Sequence, residues 1–251
     1  MFQQQRGGFL ANVPPAVKIL LIVNLAMFVM SFFYNSTAGA RLQDVLGLHH
    51  PKSDFFRPFQ LLSHMFMHAD FLHIFFNMYA LLMFGKFIEM RWGASRFFLY
   101  YMITGLGAAA LHTVVQHVEI QSLMQIMSQD SIATVMSEGS TIWREGKNFI
   151  DPQMGQLNML LNVPTVGASG AVFGILLAFG MMYPNVEMYL FFIPVPIKAK
   201  WLVIGYGALE LINGVANVPG DNVAHFAHLG GMLFGFFLIK IWGLTDNRRR
   251  N

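Results

Sequence analysis

The sequence contains no cysteine, which excludes a disulfide framework, a thiol nucleophile and cysteine-ligated metal. It is also poor in charge. Asp, Glu, Lys and Arg make up 12% of its 251 residues, about half the share carried by a soluble domain. What replaces them is apolar: 55% of residues are hydrophobic, and the mean hydropathy is +0.50. The chain reads as a polytopic membrane protein of all-α class, with a length that suits one domain. Its net charge of +3 is modest, and no nucleic-acid partner is expected. The partners expected are the lipid bilayer and other transmembrane proteins.

Residues 1–16 form a Gln- and Gly-rich cytoplasmic segment ending in Pro14-Pro15, and 17–242 the membrane domain. No small-residue cleavage site follows the first apolar run, so Ile19–Phe33 reads as a retained span rather than a signal peptide. Tyr34–Ser63 mixes Gly, His, Pro and five charged residues with Leu and Phe, as a loop folded back on the membrane surface would. Further spans are predicted at Phe71–Ile88, Arg96–Val118, Val166–Tyr183, Trp201–Asn217 and Ala224–Trp242, a six-helix bundle in all. Residues 119–164 read as a long external insertion. Ile120, Leu123, Met124 and Met127 follow helical spacing there and predict an amphipathic helix in the interface. Phe191–Pro196 is too proline-broken to span and reads as an interfacial turn. Residues 243–251 form a basic tail.

Six spans put both termini on one side. Eleven of the 16 Lys and Arg residues, among them Arg6, Lys86, Arg91 and Arg248 to Arg250, fall on that side and five on the other. That imbalance predicts cytoplasmic termini, in keeping with a bacterial inner membrane. Spans two, four and six then run from outside to inside, so position along each gives depth at about 1.5 Å per residue. His73, Ser169 and His228 lie at similar depth, with Asn77 one turn below His73 on the same face. Four polar groups able to support acyl transfer therefore share one layer.

Small residues recur every fourth place after Ser169, at Gly170, Gly174 and Ala178, and on the sixth span at Gly231 and Gly235. Such stripes let helices approach backbone to backbone. If the two faces meet, Ser169 comes beside His228, as a serine nucleophile and its base require. His225, one turn before His228, is a second candidate base.

These motifs carry a resemblance. His64-x3-His68-x4-His73-x3-Asn77, Glu89-x-Arg91-x-Gly93, Gly167-x-Ser169-Gly170 and Ala227-His228-Leu229-Gly230-Gly231 together resemble a rhomboid intramembrane serine protease of the minimal bacterial six-span type. The resemblance covers most of 17–242. It implies a Ser169/His228 dyad without a carboxylate and without metal or cofactor. It also implies an oxyanion hole made by the Ser169 backbone N–H and the side chains of His73 and Asn77, with Gly167 beside them. Two departures stand out: the family's Trp-Arg pair is here Phe56-Arg57, followed by Pro58, and the 119–164 insertion is long.

Other polar residues have structural readings. His64 and His68 are spaced i, i+4 but lack the Glu of a His-Glu-x-x-His zinc motif, and satisfying loop carbonyls is the alternative. His112 and His117 are expected to cap the outer end of the third span, and Asn24 to make a helix–helix hydrogen bond. Glu210, a carboxylate inside the fifth span, either shapes a gate or the histidine's proton affinity, or lines a wet pocket. Two rival functions are a rhomboid-like protein that binds helices without cutting them and a haem or metal protein using paired histidines.

Overall fold

The computed structural model describes residues 12–34, 41–190, 193–216 and 224–244. The predicted Gln-rich segment up to residue 11, the Pro219-Gly220-Asp221 connection and the Arg248–Arg250 tail lie outside them, as do Phe191 and Phe192. Eleven α-helices and one β-hairpin occupy the described residues: α1 (Pro15–Phe33), α2 (Leu42–Leu46), α3 (Gln60–Ser63), α4 (Phe71–Ala80), α5 (Lys86–Trp92), α6 (Ala94–Gln125), α7 (Gln129–Arg144), α8 (Pro152–Asn162), α9 (Ser169–Met182), the strands β1 (Glu187–Leu190) and β2 (Ile193–Lys198), α10 (Ala199–Ala216) and α11 (His225–Trp242). A π-helical turn, Leu81–Gly85, joins α4 to α5, so Phe71–Trp92 is continuous. Among the described residues, four helices are long and apolar enough to cross a membrane: α1, the α4–α5 unit, α6 and α11.

The centre of the molecule is the contact of α6, α9 and α11. Gly231 of α11 lies so close to Gly170 of α9 that a Cβ on Gly231 would overlap the Gly170 carbonyl oxygen. Gly235 faces Gly174 one turn further on. The two small-residue faces therefore meet, as the spacing predicts. The third span joins them: Ala108 packs against both Gly170 and Gly230, and the buried Tyr100 hydroxyl donates to the Gly174 carbonyl at 2.7 Å. Around this centre the core gathers Leu20, Ile88, Phe97, Tyr101, Ile175 and Ile239.

The first helix is tied in by an ionisable side chain. Buried Glu89 accepts hydrogen bonds from the backbone N–H groups of Ala16 and Val17 at 2.9 and 2.8 Å. A helix start leaves such donors unpaired, and a carboxylate there also meets the positive end of the helix dipole.

Three segments differ most from the sequence expectation. The third helix runs to Gln125 rather than Val118, 32 residues in all and about 48 Å long, against about 30 Å of hydrocarbon. Its last turns leave the core of the bundle and carry Ile120 and Leu123 into a second apolar cluster with Met127, Ile132, Val135, Leu157 and Leu161. The insertion is thus a packed cap of α7 and α8 over the end of α6. His112 and His117 lie inside the helix, not at its end.

The fourth helix is shorter than predicted. It begins at Ser169 and has 14 residues, about 21 Å. Residues 163–168 descend to it as non-helical chain. Residues 193–196 of the proline-broken segment, read as a turn, belong instead to β2, which pairs antiparallel with β1, Leu190 opposite Ile193 and Met188 opposite Ile197.

Candidate active site

Three short structures converge on Ser169. Residues 41–70 fold into a compact layer stitched by buried Gln60. Its amide accepts from the backbone of Arg57 at 3.1 Å and donates to Val45 and Phe55 carbonyls at 3.1 and 3.0 Å. This layer grips the chain that leads to the serine. Leu48 and Thr165 exchange backbone hydrogen bonds at 2.9 and 2.8 Å, and Gly167 donates to the His64 carbonyl at 2.9 Å. The Thr165 hydroxyl meets His112 Nε2 at 2.9 Å. Non-helical backbone within a membrane bundle is tolerated where protein surrounds it, and these bonds supply that surround.

At Gly167 the backbone takes φ +132°, and a Cβ there would come within 2.8 Å of His73 Nε2. Both the conformation and the space demand glycine. The chain turns at this residue into α9, whose first residue is Ser169.

Ser169 Oγ lies 2.9 Å from His228 Nε2. His228 stands one turn into α11, buried, and its ring stacks on Phe173 with centroids 4.1 Å apart and planes 6° from parallel. Phe173 is one turn after Ser169 on α9, so a single helix presents the hydroxyl and supports the imidazole. The i, i+4 spacing of Ser169 and Phe173 was available in the sequence but indistinguishable from lipid-facing apolar residues. His225, the second candidate base, contacts Glu210 at 2.6 Å.

His73 and Asn77 sit on α4, whose start is capped by the Asp70 carboxylate accepting from the His73 N–H at 2.8 Å. The Ala69 N–H points to His73 Nδ1 at 3.4 Å. That leaves the proton of a neutral ring on Nε2, the atom next to Gly167. Asn77 is buried and donates one amide hydrogen to the His73 carbonyl at 2.8 Å, keeping a second to give. His68 packs edge-on against His73 at 5.0 Å. Burial and then the neighbouring His73 push His68 down to about 3, so the ring is neutral at ordinary pH.

Glu210, on α10, brings Oε2 to 3.0 Å from His228 Nδ1 and 2.6 Å from His225 Nδ1. The resemblance implies a dyad with no carboxylate, and here one stands beside the base. Of the remaining residues, His64 Nδ1 meets the Gln60 carbonyl at 2.8 Å, in line with the loop-carbonyl alternative. Asn24 donates to the Leu20 carbonyl of its own helix at 2.7 Å, with Tyr101 of α6 beside it. Arg57 turns back on the carbonyls of Asp54 and Phe56 at 2.9 and 2.7 Å. Among the described residues, no three His, Asp or Glu side chains converge as metal ligands would.

The fold and site define a class: an all-α, polytopic membrane protein whose packed helix ends hold a serine hydroxyl against an imidazole. Residues 56–244 match the family profile of the Rhomboid domain. The chain belongs to the rhomboid family, which includes active serine proteases and rhomboid-like proteins without catalysis. It is 29% identical over 214 residues to RHOMBOID-like protein 12, mitochondrial, of Arabidopsis thaliana, covering 84% of this chain and 54% of that protein. It is 27% identical over 188 residues to Rhomboid protein 1, mitochondrial, of Saccharomyces cerevisiae, covering 73% and 43%. Rhomboid protease AarA of Providencia stuartii is 26% identical over 200 residues, covering 74% and 56%. The chain spans about half the length of these curated relatives.

Proposed function

We propose that this protein is an intramembrane serine endopeptidase that cuts transmembrane segments of other proteins near their outer end. The observation that carries this reading is the 2.9 Å contact between Ser169 Oγ and His228 Nε2. Counting α9 and α10 as spans beside the four long apolar helices gives six. The Lys and Arg distribution then favours cytoplasmic termini and an inner-membrane setting.

In the proposed reaction His228 Nε2 takes the Ser169 proton as Oγ attacks a peptide carbonyl, then returns it to the leaving amine. The tetrahedral oxygen is met by the Ser169 N–H at the start of α9, by His73 Nε2–H and by the free amide hydrogen of Asn77. Fixed donors aimed at developing charge are usually the largest stabilising contribution. Gly167 keeps His73 close to that point. A substrate helix must unwind to expose its carbonyl, which favours segments weakened by Gly or Pro.

The test is incubation in liposomes with a single-span substrate carrying such a weakened segment. Wild type is expected to cut it, and Ser169→Ala and His228→Ala to reduce cutting to background. A folded wild type that binds the segment without cutting it, and whose Ser169 takes no fluorophosphonate label, makes this a helix-binding member of the family instead.

A further inference from the structure

We propose that Glu210 is a positioning carboxylate: it holds His228 in the orientation and tautomer that accept the Ser169 proton. The inference rests on the protease reading and adds a third, acidic member to its dyad.

Three observations carry it. The first is the contact itself. His228 Nδ1 is buried and meets no hydrogen-bond partner of good geometry among the described residues, yet Glu210 Oε2 stands 3.0 Å away. A buried ring nitrogen without an acceptor is costly, and a small swing of either side chain turns this approach into a straight hydrogen bond. The second is the face from which Glu210 comes. On α10, Val203 packs against Gly180, Tyr206 sets its ring edge-on to Phe173 at 6.3 Å, Gly207 meets Met232, and Gly214 meets His225 and Phe226. Glu210 lies on that same inward stripe, one turn beyond Tyr206 and one before Gly214. The carboxylate is therefore directed at α11 by the packing of the helix that carries it.

The third is what the contact does to the ring. A neutral imidazole carries one proton, and which nitrogen holds it is set by the partner of the other. An acceptor at Nδ1 keeps the proton there and leaves the Nε2 lone pair facing the Ser169 hydroxyl. Phe173 fixes the plane of the ring but cannot choose between its nitrogens. When Oγ bonds to the substrate carbonyl carbon, the carbonyl pair moves to oxygen and the serine proton moves to Nε2. The imidazolium then has the Glu210 charge on its far side. As the C–N bond breaks, that proton passes to the leaving nitrogen. Glu210 stays ionised throughout and exchanges no proton, the part an orienting carboxylate plays beside a catalytic histidine.

His225 donates to the same oxygen at 2.6 Å, so a purely structural role, tying α10 to α11, is the competing account. The experiment separates the two. Cleavage of the single-span substrate in liposomes is measured for wild type, Glu210→Gln and Glu210→Ala, with Ser169→Ala as the zero, alongside melting temperature and the rate of fluorophosphonate labelling of Ser169. Expected are a fall in kcat of at least about tenfold for Glu210→Gln, against about 10⁴ for a fully buried orienting Asp, KM within about twofold and a parallel fall in labelling rate. Added formate is expected to restore part of the kcat of Glu210→Ala, which an element tie would not allow. A Glu210→Gln variant with kcat within about twofold of wild type overturns the proposal while leaving the protease reading intact. So does a Glu210→Ala variant that loses kcat and melting temperature together and ignores formate. A wild type that neither cuts nor takes the label removes both readings at once.

Discussion

In the proposed protease, Asn77 serves structure and chemistry at once. One amide hydrogen returns to the His73 carbonyl a turn earlier, which fixes the amide plane. In the proposed reaction the other is the hydrogen given to the tetrahedral oxygen. Losing one of several oxyanion donors costs about 10²–10³ in kcat when that donor is strong. Here the Ser169 N–H and His73 remain. Asn77→Ala is therefore expected to lower kcat about 10²-fold, with a measurable residue of cutting and little change in KM. Complete loss of cutting in a variant with the wild-type melting temperature would contradict the shared-donor account. The residues that bear on the proposed chemistry divide by how visible they were. Ser169, His228, His73 and Asn77 are polar groups in an apolar background, so each stands out where hydrocarbon makes it expensive. Phe173 performs its part through an apolar ring in a chain with 25 phenylalanines, and nothing about its type distinguishes it. Glu210 was visible as a lone carboxylate, but its partner depends on the rotation of α10, which a sequence does not state.

At the scale of elements, close approach of α9 and α11 sets the distance between hydroxyl and imidazole. His228 lies one turn before Gly231 on the same stripe, and Gly231 touches the Gly170 carbonyl. Adding one methyl there must push the helices apart, because backbone cannot yield as a flexible side chain can. Gly231→Ala is expected to cost about 1–3 kcal/mol by overpacking, seen as a lower melting temperature in detergent, and to cut cleavage more than its effect on folding explains. Gly205→Ala is the matched control: a Cβ there meets nothing within 4 Å, and a helical Gly replaced by Ala is neutral or stabilising by up to about 1 kcal/mol. Equal melting temperatures for the two variants would refute the packing argument. The same stripes were readable in advance because their period is that of the helix. Boundaries were not. Glu119 in the midst of apolar residues looks like a membrane exit, yet a helix continues wherever its own hydrogen bonds close, and α6 runs on until Ser128 caps α7 by accepting from the Ser131 N–H at 3.1 Å. The start of α9 was hidden for the opposite reason. Val166, Gly167 and Ala168 look like more apolar span, and only the positive φ at Gly167 breaks it.

Over the whole molecule, the layer formed by residues 41–70 is tied to the α7–α8 cap. Ser53 donates to Asn162 at 2.7 Å, Asn162 to Asn158 at 2.7 Å, and Asn158 to Asn148 at 3.0 Å, a polar chain that joins the 41–70 layer to the α7–α8 cap. Arg144 of the cap lies over the Phe55 ring at 4.9 Å. Within this layer the buried histidines are held neutral. Burial, then His117 and Lys52, push His50 down to about 4 from an ordinary 6.5. Burial also lowers His49 and His64, and His68 falls to about 3. A histidine whose folded-state affinity for protons is depressed takes up a proton on unfolding, so the unfolded chain binds more protons below about 6.5. Stability is then full above that value and declines as pH falls toward 4 and below. The melting temperature in detergent is expected to drop between pH 7 and pH 5, and the drop to shrink in His50→Gln, whose amide oxygen can still accept from the Lys52 N–H that His50 Nδ1 now accepts at 3.2 Å. The variant must be compared by slope rather than by absolute melting temperature, since losing the stack on His117, with centroids 5.6 Å apart, lowers both ends alike. A melting temperature flat from pH 7 to 5 in the wild type would mean that these rings take up their protons while still folded, and the layer over Ser169 would then be far more open to water than its packing implies.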